Sequence, residues 1–81
     1  MDQSVSYTVE NKSQYTICIK DGAYYSEDIK PGASLAILSN HDANVTVLIG
    51  EGRNKELGFA WIPAPGSITV KGDWDWYIAR K

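Results

Sequence analysis

Apolar and polar residues alternate with a period of two along most of the chain, and no segment keeps the spacing of an amphipathic helix. This pattern predicts short β-strands separated by clusters of turn-forming residues. We expect strands at residues 5–10, 15–20, 23–29, 33–39, 45–50, 57–62, 67–71 and 74–80. The predicted fold class is therefore all-β: a small antiparallel β-sandwich or a partly open barrel of seven or eight short strands.

One stretch of sequence recurs. Residues 15–22 (YTICIKDG) are echoed by residues 45–52 (VTVLIGEG), and a Pro-Gly step into another apolar run follows each copy. The order strand, acidic-Gly turn, strand, Pro-Gly, strand suggests two related β-meander units. Gene duplication and the shared chemistry of hairpin turns both explain the echo and predict the same fold. The pair Asp21-Gly22 predicts a two-residue type I′ turn.

Alternation also predicts which side chains face the core. Leu57, Phe59 and Trp61 share one face of a strand, which we expect to point inward. In the last strand Trp74 and Trp76 share a face. Three arrangements stay open for these two indoles: both in the core, one inside and one at the rim, or both on an exposed platform.

Length and charge limit the function classes. The 81 residues predict one domain, residues 1–81, and a net charge of −2 with scattered basic residues argues against nucleic-acid binding. Cys18 is the only cysteine, so no internal disulfide forms. The first residues do not resemble a signal peptide, and no apolar run reaches membrane-spanning length. We expect a soluble protein in the cytoplasm or another intracellular compartment.

Motifs for catalysis or metal binding are weak. His41 is the only histidine, and a calcium-loop spacing that starts at Asn40 has Val45 where the loop needs glycine. Asp73 and Asp75 are paired carboxylates, but so short a chain shows no substrate cleft. The sequence therefore predicts neither an enzyme nor a bound metal or cofactor.

The favoured hypothesis is a non-enzymatic binding protein that docks onto another protein as an inhibitor, adaptor or subunit. Rigid aromatic side chains and flat sheet faces suit such contacts. The expected contact surface combines the proline-fixed loop at 61–65, the charged loop at 53–56 and the exposed face of 74–77. Its candidate residues are Trp61, Pro63, Arg53, Lys55, Trp74, Asp75, Trp76 and Tyr77.

Two other hypotheses come from different ligand classes. In a carbohydrate-binding module, Trp74 and Trp76 would stack on sugar rings while Asp73 and Asp75 accept hydrogen bonds from hydroxyl groups. A barrel of the OB type would bind nucleic acid, against which the charge argues. We also expect residues 5–10 to form an edge strand that pairs with a second copy of the chain.

Two short stretches resemble known β-proteins. Residues 11–34, through Ile17-Cys18-Ile19 and Pro31-Gly32, resemble the opening hairpins of small β-sandwich groups such as the aegerolysin-like membrane binders. The Asp21-Gly22 turn and the ending Tyr77-Ile78-Ala79-Arg80 are similar to tendamistat-type amylase inhibitors, which depend on two disulfides that one cysteine cannot supply. Both resemblances rest on turn chemistry, so they imply no functional residue in this chain.

Overall fold

The computed structural model describes residues 6–39, 42–50 and 55–80, and these residues form eight β-strands with no helix. The all-β class is confirmed, and none of the described residues belongs to a helix that could cross a membrane. The strands are β1 (Ser6–Asn11), β2 (Ile17–Asp21), β3 (Tyr24–Tyr25), β4 (Ser34–Leu38), β5 (Ala43–Ile49), β6 (Glu56–Ile62), β7 (Gly66–Gly72) and β8 (Asp75–Arg80).

Within the described residues the strands pair into two four-stranded sheets. The first sheet has the order β4-β1-β7-β8 and the second β3-β2-β5-β6. All pairs are antiparallel except β1 with β7, which run parallel. The expectation that residues 5–10 form an edge strand is wrong, because β1 is hydrogen-bonded on both sides, to β4 and to β7.

The core lies between the two sheets. In β1 and β7 alternate residues point inward, as the period of two requires. Burying one large side chain of this kind stabilises the fold by about 1.5–3 kcal/mol. The fully buried core residues include Tyr7, Val9, Ile17, Ile19, Val47, Ile62, Ile68 and Val70.

The echoed segments are related by an approximate two-fold axis. β2 and β5 pair antiparallel, and Cys18 lies opposite Leu48, its counterpart in the echo. In the other sheet Leu35 of β4 and Ile68 of β7 both pair with Val9 of β1, from opposite sides. The axis therefore passes between Cys18 and Leu48 and through β1.

Each echoed unit is a hairpin followed by a crossing strand. The hairpins β2-β3 and β5-β6 lie in the second sheet, whereas β4 and β7 leave that sheet and flank β1 in the first. This arrangement refines the predicted meanders, because the third strand of each unit belongs to the opposite layer. The Pro-Gly steps at Pro31-Gly32 and Pro65-Gly66 stand where the chain enters β4 and β7.

The first hairpin turns one residue later than expected. Asp21 still pairs with Tyr24 as part of the ladder, so the loop is Gly22-Ala23. Only Gly22 has a positive φ, 63°. A glycine at the first loop position is typical of a type II′ turn, whereas the predicted type I′ turn needs positive φ at both positions.

A buried asparagine fixes the connection from β1 to β2. The Asn11 Nδ2 donates to the carbonyls of Tyr15 (2.6 Å) and Ile29 (2.8 Å). Its Oδ1 accepts hydrogen bonds from the Ser13 backbone N–H (3.0 Å) and hydroxyl (2.5 Å). Because every polar atom of this buried amide has a partner, its burial is compatible with a stable core.

Candidate functional site

A bulge in β6 reverses the expected side-chain directions of that strand. Val47 pairs with Gly58 but Leu48 pairs with Glu56, so Leu57 is an additional residue on β6. Leu57 points inward, and after the bulge Phe59 and Trp61 point outward. The expectation that Phe59 and Trp61 lie in the core is therefore wrong: they are 55% and 46% exposed.

The turn between β7 and β8 places Trp74 next to this surface. Trp74 has φ 53°, a left-handed conformation that costs a side-chain-bearing residue about 1–2 kcal/mol. Its backbone N–H donates to the Leu57 carbonyl across the gap between the sheets, at 2.9 Å. This bond fixes the turn against β6, and the indole is held at the edge of the sandwich.

Gly58 makes room for two tryptophans. A Cβ at position 58 would overlap with the Trp76 ring and lie 2.8 Å from Trp74 Cδ2. Trp76 is half-buried and packs against the core, whereas Trp74 is 65% exposed. Of the three arrangements open from the sequence, the structure shows the one with one indole inside and one at the rim.

Three exposed rings follow one another along this side of the molecule. The centroids of Phe59 and Trp74 are 5.7 Å apart in an edge-to-face arrangement. Trp61 is the next outward residue along β6. We call Phe59, Trp61 and Trp74 the aromatic strip.

A network of charged side chains flanks the aromatic strip at Trp61. The Arg80 guanidinium lies 5.6 Å from the centre of the Trp61 ring, within cation–π distance. Arg80 Nη2 is also 3.7 Å from Asp42 Oδ2, and Asp42 Oδ1 accepts a hydrogen bond from the Ala64 N–H at 3.1 Å. These contacts join the loop before β7 to both sheets and restrict the orientation of Trp61.

A shallow depression separates Phe59 from Trp61. Thr46 lies opposite Phe59 and Asn44 lies opposite Trp61 on the neighbouring strand β5. These residues line a space of about 390 Å³, which has aromatic walls and a polar floor. The floor offers a hydroxyl and an amide group, which can both donate and accept hydrogen bonds.

A tyrosine lies at the far edge of the same sheet face. Tyr25 of β3 pairs with Lys20 of β2, which pairs with Thr46 of β5, which pairs with Phe59. The Lys20 Nζ lies 5.9 Å from the centre of the Tyr25 ring. This outward row therefore begins and ends with an aromatic side chain.

The other candidate residues do not join the aromatic strip. Pro63 is fully buried and offers no contact surface. Lys55 is exposed just before β6. Asp75 and the 63% exposed Tyr77 alternate with the inward Trp76, so they face outward from the first sheet. Arg53 lies outside the described residues.

Phe59 is the site residue that simple alternation misses. Its direction depends on the bulge, and the available signal is Gly58, because an isolated glycine in a strand pattern indicates a bulge or a close approach of another group. The carbohydrate platform expected at 73–77 rests on two indoles, and the structure presents one of them: Trp74 is exposed, whereas Trp76 is half-buried against the core.

The described residues contain no group of three His, Cys, Asp or Glu side chains that could hold a metal ion. No protein-family model matches the chain, and comparison with curated proteins and with solved structures finds no match. The functional argument therefore rests on the geometry of the aromatic strip and its surroundings.

Proposed function

We propose that this protein is a non-enzymatic binding module that docks onto another protein through the aromatic strip. The observation that supports this most is the grouping of three large exposed rings on one side of the molecule: Phe59 and Trp74 are in edge-to-face contact, and Trp61 is the next outward residue on β6. Isolated exposed apolar residues are ordinary, but a group of large exposed rings is typical of an interaction surface.

The restraint of the rings supports the proposal further. Trp74 is tied to β6 by a backbone hydrogen bond, and Trp61 packs against Arg80. Preorganised side chains lose little conformational entropy when a partner binds, so more of the contact energy remains as affinity. Tryptophan and arginine are also the residue types most enriched among interface hot spots.

The backbone conformation of Trp74 also supports a binding role for its side chain. Glycine adopts a φ of 53° without steric cost, whereas tryptophan does not. An indole at such a position that is nevertheless 65% exposed gains only part of the burial that would offset this cost. Strained positions of this kind support a hypothesis of function for the side chain.

A site-specific photo-crosslinker tests the proposal. p-Benzoylphenylalanine at Phe59 should crosslink one defined protein in cells that make this chain, and the same probe at Tyr77 should not. Tyr77 is a matched control because it is a comparably exposed aromatic residue on the other sheet. The identified partner is then purified and titrated with the Trp61→Ala and Tyr77→Ala variants.

We expect Trp61→Ala to weaken binding at least about tenfold, the range of an interface hot spot, with an unchanged fold. Tyr77→Ala should bind like the parent protein. Equal crosslinking from positions 59 and 77, or equal affinity of the two variants, would contradict a docking role for the aromatic strip.

The depression between Phe59 and Trp61 favours glycan binding as a second candidate. Its aromatic walls can stack on sugar rings, and Asn44 and Thr46 can hydrogen-bond with hydroxyl groups. Titration of tryptophan fluorescence across a glycan panel tests this function. A glycan that quenches the parent protein but not Thr46→Val would support it, and an unchanged signal across the panel would contradict it.

A further inference from the structure

The side of the sandwich opposite the aromatic strip contains a second groove. Its edges are β3, which has only two residues, and β4. The space measures about 450 Å³, and its exposed lining is mainly apolar. The lining residues are Asp21, Tyr24, Ala36, Ile37 and Leu38.

The backbone of β4 has one hydrogen-bonding side that no other described strand uses. The Asn11 N–H donates to the Ala33 carbonyl, which sets the alternation of hydrogen-bonded pairs between β1 and β4. Leu35 and Ile37 therefore direct their N–H and C=O groups to β1. Those of Ser34, Ala36 and Leu38 point away from the sheet, and all three residues are exposed.

The approximate two-fold axis shows what an added strand would look like. It relates β4 to β7, and β7 is covered on its outer side by the antiparallel strand β8. Opposite Ile68 and Val70 of β7, β8 supplies Ile78 and Trp76, which cover the core. No described strand supplies the corresponding cover beside β4.

One carboxylate gives this apolar groove its chemical character. Asp21 Oδ2 accepts a hydrogen bond from the Tyr7 hydroxyl at 3.3 Å. Burial raises the pKa of Tyr7 and the charge of Asp21 raises it further, so the hydroxyl stays a donor throughout the physiological range. A partly buried carboxylate beside Tyr24 and Ile37 is complementary to a basic side chain with an apolar stem.

We propose that β4 is a docking edge for an extended peptide segment that adds antiparallel to it. The added strand carries a branched apolar residue opposite Leu35 and a lysine or arginine opposite Ile37. The basic side chain covers Tyr24 with its stem and reaches Asp21 with its head, while Ser34, Ala36 and Leu38 supply the backbone hydrogen bonds. This is recognition by β-strand addition.

A second copy of the chain fits this edge less well than such a peptide. β4 has the sequence SLAIL and contains no basic residue, so pairing of two β4 strands would leave each Asp21 carboxylate without a cation from the added strand. The proposal does not depend on the aromatic strip, which lies on the opposite side of the sandwich. Failure of one proposal therefore leaves the other standing.

The experiment uses the capped peptide Ac-Thr-Lys-Thr-Ile-Thr-NH₂, which places lysine opposite Ile37 and isoleucine opposite Leu35 in the antiparallel register. The matched control replaces its lysine with glutamate. Both are titrated into the ¹⁵N-labelled full chain. We expect shifts and slowed hydrogen exchange at the amides of Ser34, Ala36 and Leu38, and about tenfold tighter binding of the lysine peptide.

Two protein variants separate the contributions. Ala36→Pro removes the outward N–H without touching the ladder to β1, as proline on an edge strand can, and should abolish binding; Ala36→Val keeps the N–H and should retain it. Asp21→Asn should remove the preference for lysine over glutamate and leave the backbone shifts.

Other outcomes overturn the proposal. Equal affinity of the two peptides for the parent protein would exclude the role of Asp21. Peptide-induced shifts confined to the aromatic strip would exclude the β4 edge. A dimer that sediments as a monomer only after Ala36→Pro would show that a second copy, and not a peptide of this chemistry, is the occupant.

Discussion

The side of the sandwich formed by β6 and β8 is covered by aromatic rings, whereas the side formed by β3 and β4 leaves a groove between its edges. On the covered side Trp76 fills the space over Gly58, and the Trp74 N–H links the two sheets. On the open side the Tyr7 hydroxyl donates a hydrogen bond to Asp21 across the gap between the two sheets. Both sides follow related hairpins, so the contrast arises from what surrounds those hairpins.

The difference shows how one added strand changes an edge. β8 and the turn before it bring Trp74, Trp76 and the inward side chain of Ile78 to the second unit. The first unit has no counterpart of β8 among the described residues. An edge strand without such cover presents unpaired backbone groups and invites another strand. On the covered side a partner would contact exposed side chains, whereas on the open side it would bind the outward N–H and C=O groups of β4.

Substitution of Gly58, on the covered side, should have the largest effect on the free energy of unfolding. Gly58→Ala places a methyl group where the Trp76 ring lies, at a φ of 151° that disfavours side chains. We expect a loss of about 3 kcal/mol in the free energy of unfolding, measured by urea denaturation. Gly72→Ala is the matched control, because its Cβ meets no atom within 4 Å, and should cost little. Equal losses would show that the glycine does not accommodate the indoles.

Truncation of the two tryptophans should show which indole contributes more to the stability of the covered side. Trp76→Ala removes a half-buried ring that packs on the core and should cost about 2 kcal/mol, less than full burial would imply. Trp74→Ala should cost less, since the ring is mostly exposed. Thermal unfolding of both variants checks the order. The reverse order would place the structural contribution on the exposed indole.

The Tyr7 hydroxyl on the open side should make the folded state less stable at high pH. The folded-state pKa of Tyr7 is raised above the unfolded value of 10.0, so the unfolded chain loses this proton first as the pH rises. Its contribution to stability is complete below pH 10 and falls above it by up to about 1.4 kcal/mol per pH unit. Urea titrations between pH 9 and 11.5 should show this slope reduced in Tyr7→Phe. An equal slope in the parent protein and in Tyr7→Phe would refute the linkage.

Removal of the Arg80 side chain should have the smallest effect. Its contacts with Trp61 and Asp42 lie at the surface, where such interactions contribute about 0.5 kcal/mol each. We expect Arg80→Ala to lower the melting temperature slightly and to mobilise the Trp61 ring, measured as lower fluorescence anisotropy. A lysine at this position should restore part of the restraint. Unchanged anisotropy in Arg80→Ala would show that the guanidinium does not orient the indole.

Much of the fold could be predicted because its elements are set locally. Period-two alternation and the glycine and proline positions placed all eight strands, although the third is only Tyr24–Tyr25. The sheet to which each strand belongs could not be predicted from the local sequence in this way. Whether β4 continues the meander or crosses to β1 depends on packing of the two layers, which neighbouring residues do not encode.

The candidate site was predicted less completely for a similar reason. The sequence predicts Trp61 and Trp74 as contact residues, and both lie in the aromatic strip, although alternation places Trp61 on the inward face of its strand. Alternation places Phe59 on the core face, and this prediction fails because one additional residue, Leu57, inverts the face of every residue after it. The rigidity of Pro63 makes it a candidate contact residue, but it is buried by close packing against Gly66, which no local sequence pattern reveals.

The position of β1 on the two-fold axis has a geometric consequence. A strand has a direction, so rotation by half a turn reverses it, and no single strand can satisfy that symmetry. The related strands β4 and β7 must therefore meet β1 with opposite senses, one antiparallel and one parallel. The mixed sheet is the necessary result of two related halves that share one central strand, β1, which has no symmetry counterpart of its own.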